Sequence, residues 1–298
     1  MKTYGLLVRA IILMVALIMN ALVVAITVIL MASVARMCRG QWYRLWMRGA
    51  HRVTVWWMQG NRCILWGVGR HRWAVEGVGD LSPEKSYVLI SNHQSWLDIL
   101  VLGVVFTGRA PILKFFMKKE LLWMLPFAGL ASYLLGYPFM ARHSREDIRR
   151  NPELKGQDLA TAKAACQKFR EFPTTVMNFV EGTRVTPKKQ LQSQSPYHHL
   201  LKPKSAGIAV VLHELETALS GIIDVTIHYA ERPMTLWRFL KGECTRITCH
   251  YEVLPVTADL MGDYHQNRAF RATFQQWLNT RWVHKDEWLE QVESRERV

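Results

Sequence analysis

The stretch Tyr87-Val88-Leu89-Ile90-Ser91-Asn92-His93-Gln94-Ser95-Trp96-Leu97-Asp98 passes from a β-prone segment into a polar turn, and residues 99–106 follow as an apolar run. A short strand that stops near Ser91 and a helix over 99–106 make one strand-then-helix unit. The order recurs along the chain. Residues 158–172 carry apolar positions at 159, 162, 165, 166 and 169, the spacing of a helix. Pro173 stops it, and 174–180 reads as a strand. A helix over 207–219 precedes a strand over 221–229, and 246–254 alternates in polarity like a further strand. Residues 264–293 form a polar, Trp-bearing helical stretch, and 186–195, rich in Lys, Gln and Ser, predicts an exposed loop. This order predicts an α/β domain built on a mixed, largely parallel sheet flanked by helices. Ligands in such sheets collect beyond the carboxyl ends of the strands.

Two of those ends carry chemistry. His93 stands just past a strand and Asp98 falls in the first turns of the next helix. Five helical residues turn through about 500°, so the pair cannot share a helix face. They meet if His93 lies in the loop and the chain folds back over the helix start. A carboxylate on Nδ1 then leaves Nε2 free as a base, which is the His-Asp part of a triad without its serine. Ser95 fits helix capping better than catalysis. Read alone, His-x4-Asp fits a capped loop histidine as well as a catalytic pair. Metal ligation lacks third and fourth ligands at any usual spacing. At the second end, Asn178-Phe179-Val180-Glu181-Gly182-Thr183-Arg184, Gly182 permits a tight turn and Arg184 projects a fork suited to phosphate. A surface turn with a local Glu–Arg pair is the plainer reading.

The chain has 298 residues, 38 Lys+Arg against 24 Asp+Glu, a net charge of +14, and 50% apolar residues. That apolar content excludes disorder, and five scattered cysteines exclude a disulfide scaffold. Cys244 and Cys249, five apart, would face opposite sides of a strand. The basic excess points to nucleic acid, phosphorylated small molecules or anionic lipid.

Residues 10–35 hold no charge and only Asn20, Thr27 and Ser33 as polar residues. As a helix they reach roughly 39 Å at about 1.5 Å per residue, against about 30 Å of hydrocarbon. They predict a retained N-terminal transmembrane helix, although Ala32-Ser33-Val34-Ala35 resembles a signal-peptide cleavage site. Lys2 and Arg9 precede the segment, whereas Arg36, Arg39, Arg44, Arg48 and Arg52 follow it. The heavier basic side predicts an inner (cytoplasmic) membrane protein with residues 36–298 on the cytosolic side. Six of the twelve tryptophans lie between 42 and 73 with arginines interleaved, as expected of an interfacial or re-entrant segment; an amphipathic helix packed on the domain is the alternative. The expected organisation is an anchor at 1–39, the Trp/Arg-rich segment at 40–72 and a cytosolic α/β domain at 73–298.

Together, Asn92-His93-x4-Asp98 and Glu181-Gly182-Thr183-Arg184 resemble the glycerolipid acyltransferase family of the 1-acylglycerol-3-phosphate acyltransferase type. Gly136-Tyr137-Pro138-Phe139-Met140-Ala141-Arg142 is similar to the family's second block, and Lys118-Lys119-Glu120-Leu121 with Pro126-Phe127-Ala128-Gly129 to the stretch before it. Lys202-Pro203-Lys204-Ser205-Ala206-Gly207 and Asp224-Val225-Thr226 resemble a fourth region, above all in the lysocardiolipin-type subgroup. The lysines around Pro203 depart from the plainer apolar-Pro pattern, and nothing beyond about residue 255 matches a motif. The resemblance implies acyl transfer from acyl-CoA or acyl-carrier protein to a glycerol hydroxyl, expected to be sn-2, of 1-acylglycerol-3-phosphate or a related lysophospholipid. It makes His93 the general base and Asp98 its orienting partner. Arg184 and Arg142 become phosphate ligands, Glu181, Gly182 and Thr183 shape that site, and Lys118 is a further contact. It calls for no cofactor and no metal. Remodelling of lysophosphatidylglycerol and a non-catalytic lipid-binding role are the alternatives. A lipase or thioesterase would need a serine elbow such as Gly-x-Ser-x-Gly, which is absent from the sequence. A basic stretch directly after an apolar span speaks for anionic lipid and against nucleic acid.

Overall fold

The computed structural model describes residues 2–67, 72–141, 145–154 and 156–297. A mixed sheet of six strands forms the centre. Its strands are β1 (Arg72–Val78), β2 (Ser86–Ser91), β3 (Leu113–Phe115), β6 (Thr175–Phe179), β7 (Leu219–Tyr229) and β8 (Arg246–Leu254). They lie side by side in the order β1-β8-β7-β2-β6-β3. Only the β7–β8 pair is antiparallel. A separate ribbon pairs β4 (Met117–Lys118) with β5 (Phe139–Met140).

Strand alternation divides the interior into two halves. On β2, Tyr87 and Leu89 join one apolar cluster, and Val88 and Ile90 join the other. The first half is covered by α3 (Leu97–Phe106), and the second by α7 (Gln157–Phe169), α9 (Ser205–Leu215) and α11 (Arg268–Arg297). β7 obeys the same rule: Ile223, Val225, Ile227 and Tyr229 point to the α3 half, while Asp224 and Thr226 face α11. β7 also runs on past the last residue of β2, which pairs with Val225. Its final turn of strand therefore flanks the loop that leaves β2.

The N-terminus is an antiparallel helix pair, α1 (Lys2–Met37) and α2 (Gly40–Gly67). Within α1, Tyr4–Met37 is long and apolar enough to cross a membrane. The two helices approach closely at Gly49, opposite Met31, and at Gly60, opposite Asn20. Asn20 Nδ2 donates to Trp57 O and Asn61 Oδ1, both at 2.9 Å. α1 is no free stalk: Ala10 and Leu17 are buried in the α3 half of the core. Further along, Ala25 and Val28 pack with Ala50 and Val53 of α2 and with Ala131 of α5 (Pro126–Leu134), which follows the short α4 (Leu121–Met124). α2 is unbroken and amphipathic, burying Met47, Ala50, Val53 and Leu65 while exposing Trp42, Trp56 and Trp66.

Several expectations shift. The 158–172 helix ends at Phe169, short of Pro173, and the 207–219 helix ends at Leu215, so that Leu219 already belongs to β7. Residues 186–195 are not a loop, because Pro187–Ser193 forms α8, preceded by α6 (Arg145–Arg150) and followed by α10 (Leu236–Leu240). Thr186 caps α8 by accepting from Lys189 N, and Pro187 suits its first position. Cys244 precedes β8, so strand alternation does not govern it; Cys244 and Cys249 are both buried in the α3 half, and both are free.

Candidate active site

The loop from β2 to α3 is built around Asp98. Its Oδ2 accepts from Gln94 N at 2.7 Å, from Ser95 N at 2.9 Å and from His93 Nδ1 at 2.8 Å. A carboxylate in α3's first turn thus takes two backbone amides of the preceding loop and turns that loop back over the helix start. The Ser95 hydroxyl accepts from Leu97 N at 3.1 Å, a local brace rather than a nucleophile. The carboxylate only accepts, so Nδ1 carries the imidazole proton and Nε2 keeps its lone pair. The ring stacks on Phe179 at the end of β6, 3.9 Å between centroids and 12° from parallel, which fixes its plane. The His93 side chain is 15% exposed and Asp98 is wholly buried, so the imidazole reaches solvent while its partner does not.

Residues remote in sequence complete the frame. Tyr229, also wholly buried, donates its hydroxyl to Asp98 Oδ1 at 2.7 Å. Burial first, and then the charge of Asp98, hold this phenol far above its ordinary range, so it remains a donor. Asn92 continues the sheet with its side chain, donating to Ile227 O at 2.9 Å and accepting from Ile227 N at 2.8 Å. Gln94 Nε2 reaches the same carbonyl at 2.7 Å.

The Glu181–Arg184 turn leaves β6 beside this loop. Gly182 sits at φ +72°, a left-handed conformation that favours glycine. Val185 N donates to His93 O at 2.8 Å, joining the two loops. Glu181 is buried and turned inward. Its oxygens accept from His93 N and Leu201 N, each at 3.3 Å, so it braces the turn. Burial pushes its carboxyl up to about 8, against the pull of those amides. Thr183 Oγ1 accepts from Lys189 Nζ at 2.5 Å, and the same ammonium bonds Arg184 O at 3.1 Å. Arg184 is exposed, with its guanidinium 5.2 Å over the ring of Trp96. It forms no ion pair among the described residues.

The geometry therefore brings His93, Asp98, Glu181, Gly182, Thr183 and Arg184 together. Lys118 is exposed on the separate β4–β5 ribbon, where Met140 is its strand partner. Arg142 lies outside the described residues. Tyr229 and Phe179 carried no role in the sequence reading, and Asn92 entered it only as a member of the motif. The one available signal was that Tyr229 shares a face of its strand with Val225 and Ile227.

A histidine bonded to a buried carboxylate at the head of a mixed α/β sheet, beside an exposed arginine, fits a glycerolipid acyltransferase. The family profile described as "Acyltransferase" matches residues 72–230, and the chain belongs to that family. It is 35% identical over 111 residues to human 1-acyl-sn-glycerol-3-phosphate acyltransferase alpha, covering 37% of this chain and 34% of that protein. The 1-acyl-sn-glycerol-3-phosphate acyltransferase of Saccharomyces cerevisiae is 29% identical over 101 residues, 34% of this chain and 29% of that protein. The match thus spans about a third of these curated relatives. The crystal structure of the 1-acyl-sn-glycerophosphate acyltransferase PlsC from Thermotoga maritima shares the fold, with a TM-score of 0.54 at 14% identity over 96% of this chain and 98% of that one.

Proposed function

We propose that the protein transfers an acyl chain from acyl-CoA or acyl-carrier protein to the free sn-2 hydroxyl of 1-acylglycerol-3-phosphate or a related lysophospholipid. The observation that carries this reading is His93, with Nδ1 bound to Asp98 and a side chain that is partly open to solvent. The names of the human and yeast relatives support the acceptor class. Nε2 removes the hydroxyl proton as the oxygen attacks the thioester carbonyl. Asp98 stabilises the imidazolium that forms. The tetrahedral intermediate collapses with loss of the thiolate, which takes the proton back from Nε2. The acceptor supplies the nucleophile, so no acyl-enzyme is needed. Arg184 pairs with the acceptor's phosphate, its fork pre-set by Trp96. An apolar cavity of about 90 Å³ lies between α2, α3 and β3, where Met58, Phe106, Leu113 and Phe115 meet. Met177, also on that wall, precedes Phe179 by two residues on the same face of β6.

On this reading the protein sits at the inner membrane, its site on the cytosolic side. The apolar length of α1 and the tryptophans of α2 support that seating. With purified protein, labelled donor and a panel of lysophospholipids, His93→Ala lowers turnover by roughly 10² to 10⁴ while the circular dichroism spectrum stays unchanged. Near-normal turnover in that variant would exclude His93 as the base.

A further inference from the structure

A second recess opens beside His93 on the opposite side of Ile99 from the apolar cavity, and its volume is about 840 Å³. One end is polar and basic, formed by Gln94 and Ser95 of the catalytic loop with Arg184 and Lys189. The other end is apolar, formed by Leu100 of α3, Met14 of α1, and Met234, Leu236 and Trp237 at the start of α10. Those α10 residues lie beyond residue 230, where the family match ends. The groove therefore joins the exposed guanidinium of Arg184, the Gln94–Ser95 part of the loop that follows His93, and an apolar trough that ends on α1. Around Met14, α1 exposes Ile11, Ile12, Val15 and Ile18, the long apolar face proposed above to lie in lipid.

We propose that this groove seats the acceptor lysophospholipid, with its phosphate on Arg184 and its single acyl tail running between Leu100 and Leu236 to α1. The inference rests on the acyl-transfer reading and adds to it the place of the acceptor's tail. The charge order along the groove matches an amphiphile with an anionic head and one apolar chain. The polar end lies on the loop that carries the residue proposed to deprotonate the hydroxyl. The start of α10 then acts on acceptor selection without touching the reacting atoms.

The test uses the full chain in mixed micelles. Leu236 is half-buried and packs against the α3 half of the core, so Leu236→Glu places a charge on the trough and lowers thermal stability as well. The expected result, assayed well below the variant's melting temperature, is a rise of about tenfold or more in KM for a sixteen-carbon lysophosphatidate. KM for the acyl donor and turnover of a six-carbon lysophosphatidate stay within about twofold, which a merely destabilised enzyme would not show. Leu236→Trp, which narrows the trough without charge, shifts acceptor preference toward shorter tails. A rise in donor KM with acceptor KM constant would overturn the assignment, and so would no change in either. A lysophosphatidate carrying a photoreactive group at the end of its tail gives an independent readout. It labels α10 or the first half of α1 in the wild-type protein; labelling confined to α2 and β3 refutes the groove. If the wild-type protein transfers no acyl chain to any acceptor, the catalytic reading fails, while the labelling still decides where the lipid lies.

Discussion

Asp98 takes four donors, three on Oδ2 and one on Oδ1. Two are amides of its own loop and cannot be removed by substitution. The fourth, Tyr229, can be removed cleanly, because phenylalanine fills the same buried space. Tyr229→Phe leaves Asp98 with more of its charge to spend on the imidazolium of His93. The acid limb of the kcat/KM profile therefore moves to higher pH, and stability falls by about 1.5–3 kcal/mol, the usual worth of a hydrogen bond to a charged group. An unmoved profile with the same loss of stability would show that Tyr229 only packs. The His93–Asp98 pair was legible in the sequence because both residues lie within one strand-loop-helix turn. Tyr229 was not, since 131 residues separate it from Asp98 and only the sheet order brings them together. Glu181 was legible as a member of the turn but not in its direction: it faces the interior and holds two loops by their amides.

At the scale of elements, the polar face of β7 and β8 explains why α11 exists. Asp224 is buried beneath α11, paired with Lys285 and with Arg281 Nε at 2.7 Å, while Arg281 also grips Glu252 of β8. Lys285 is buried as well and donates to Val225 O at 2.5 Å. Burial draws its ammonium down from the usual lysine range, against the attraction of Asp224. Lys285→Met strips one partner from a buried carboxylate and should cost about 3 kcal/mol, read as a lower urea midpoint at constant m-value. Adding Asp224→Asn should recover part of that loss, since the uncompensated charge is gone; no recovery would mean that Lys285 acts through packing alone. A polar, Trp-bearing helix near 264–293 was visible in the sequence, but the partners of its charged residues were not, because they sit on β7 and β8 and meet the helix only in the folded sheet. β1, with Arg72 and Glu76 inside it, and the three-residue β3 are too polar or too short to declare themselves, and tertiary pairing decides both.

On the scale of the molecule, adjacent elements expose large apolar residues: Ile12, Ile18 and Leu30 on α1, Trp56 on α2, Trp123 and Phe127 on α4 and α5. α1 packs against both α2 and α5, so these form neighbouring parts of one surface. The sequence pointed to the first two helices, whose apolar length and tryptophans are local signals. It did not point to α4 and α5, because short apolar helices look the same whether they face a core or a bilayer. The pair Trp56→Glu and Phe127→Glu should weaken binding to vesicles containing phosphatidylglycerol, measured by flotation. Turnover of a six-carbon lysophosphatidate in solution should persist; retained flotation would place the lipid-facing surface elsewhere. The basic charge adds a salt-dependent share to that binding, screened over about 10 Å at 0.1 M salt.

The contact of Asn20 with Asn61 bears on how such a chain enters a membrane. A primary amide in hydrocarbon has no water to bond, so it needs a protein partner. Asn20 lies in α1, and its acceptors, Trp57 O and Asn61 Oδ1, belong to α2. During synthesis α1 is complete before either acceptor exists. Alone, α1 would carry an unsatisfied amide into lipid, and only the finished hairpin satisfies it. On the membrane seating proposed above, this polar contact ties the apolar α1 to the amphipathic α2, because the Asn20 amide is satisfied only when α2 lies against it.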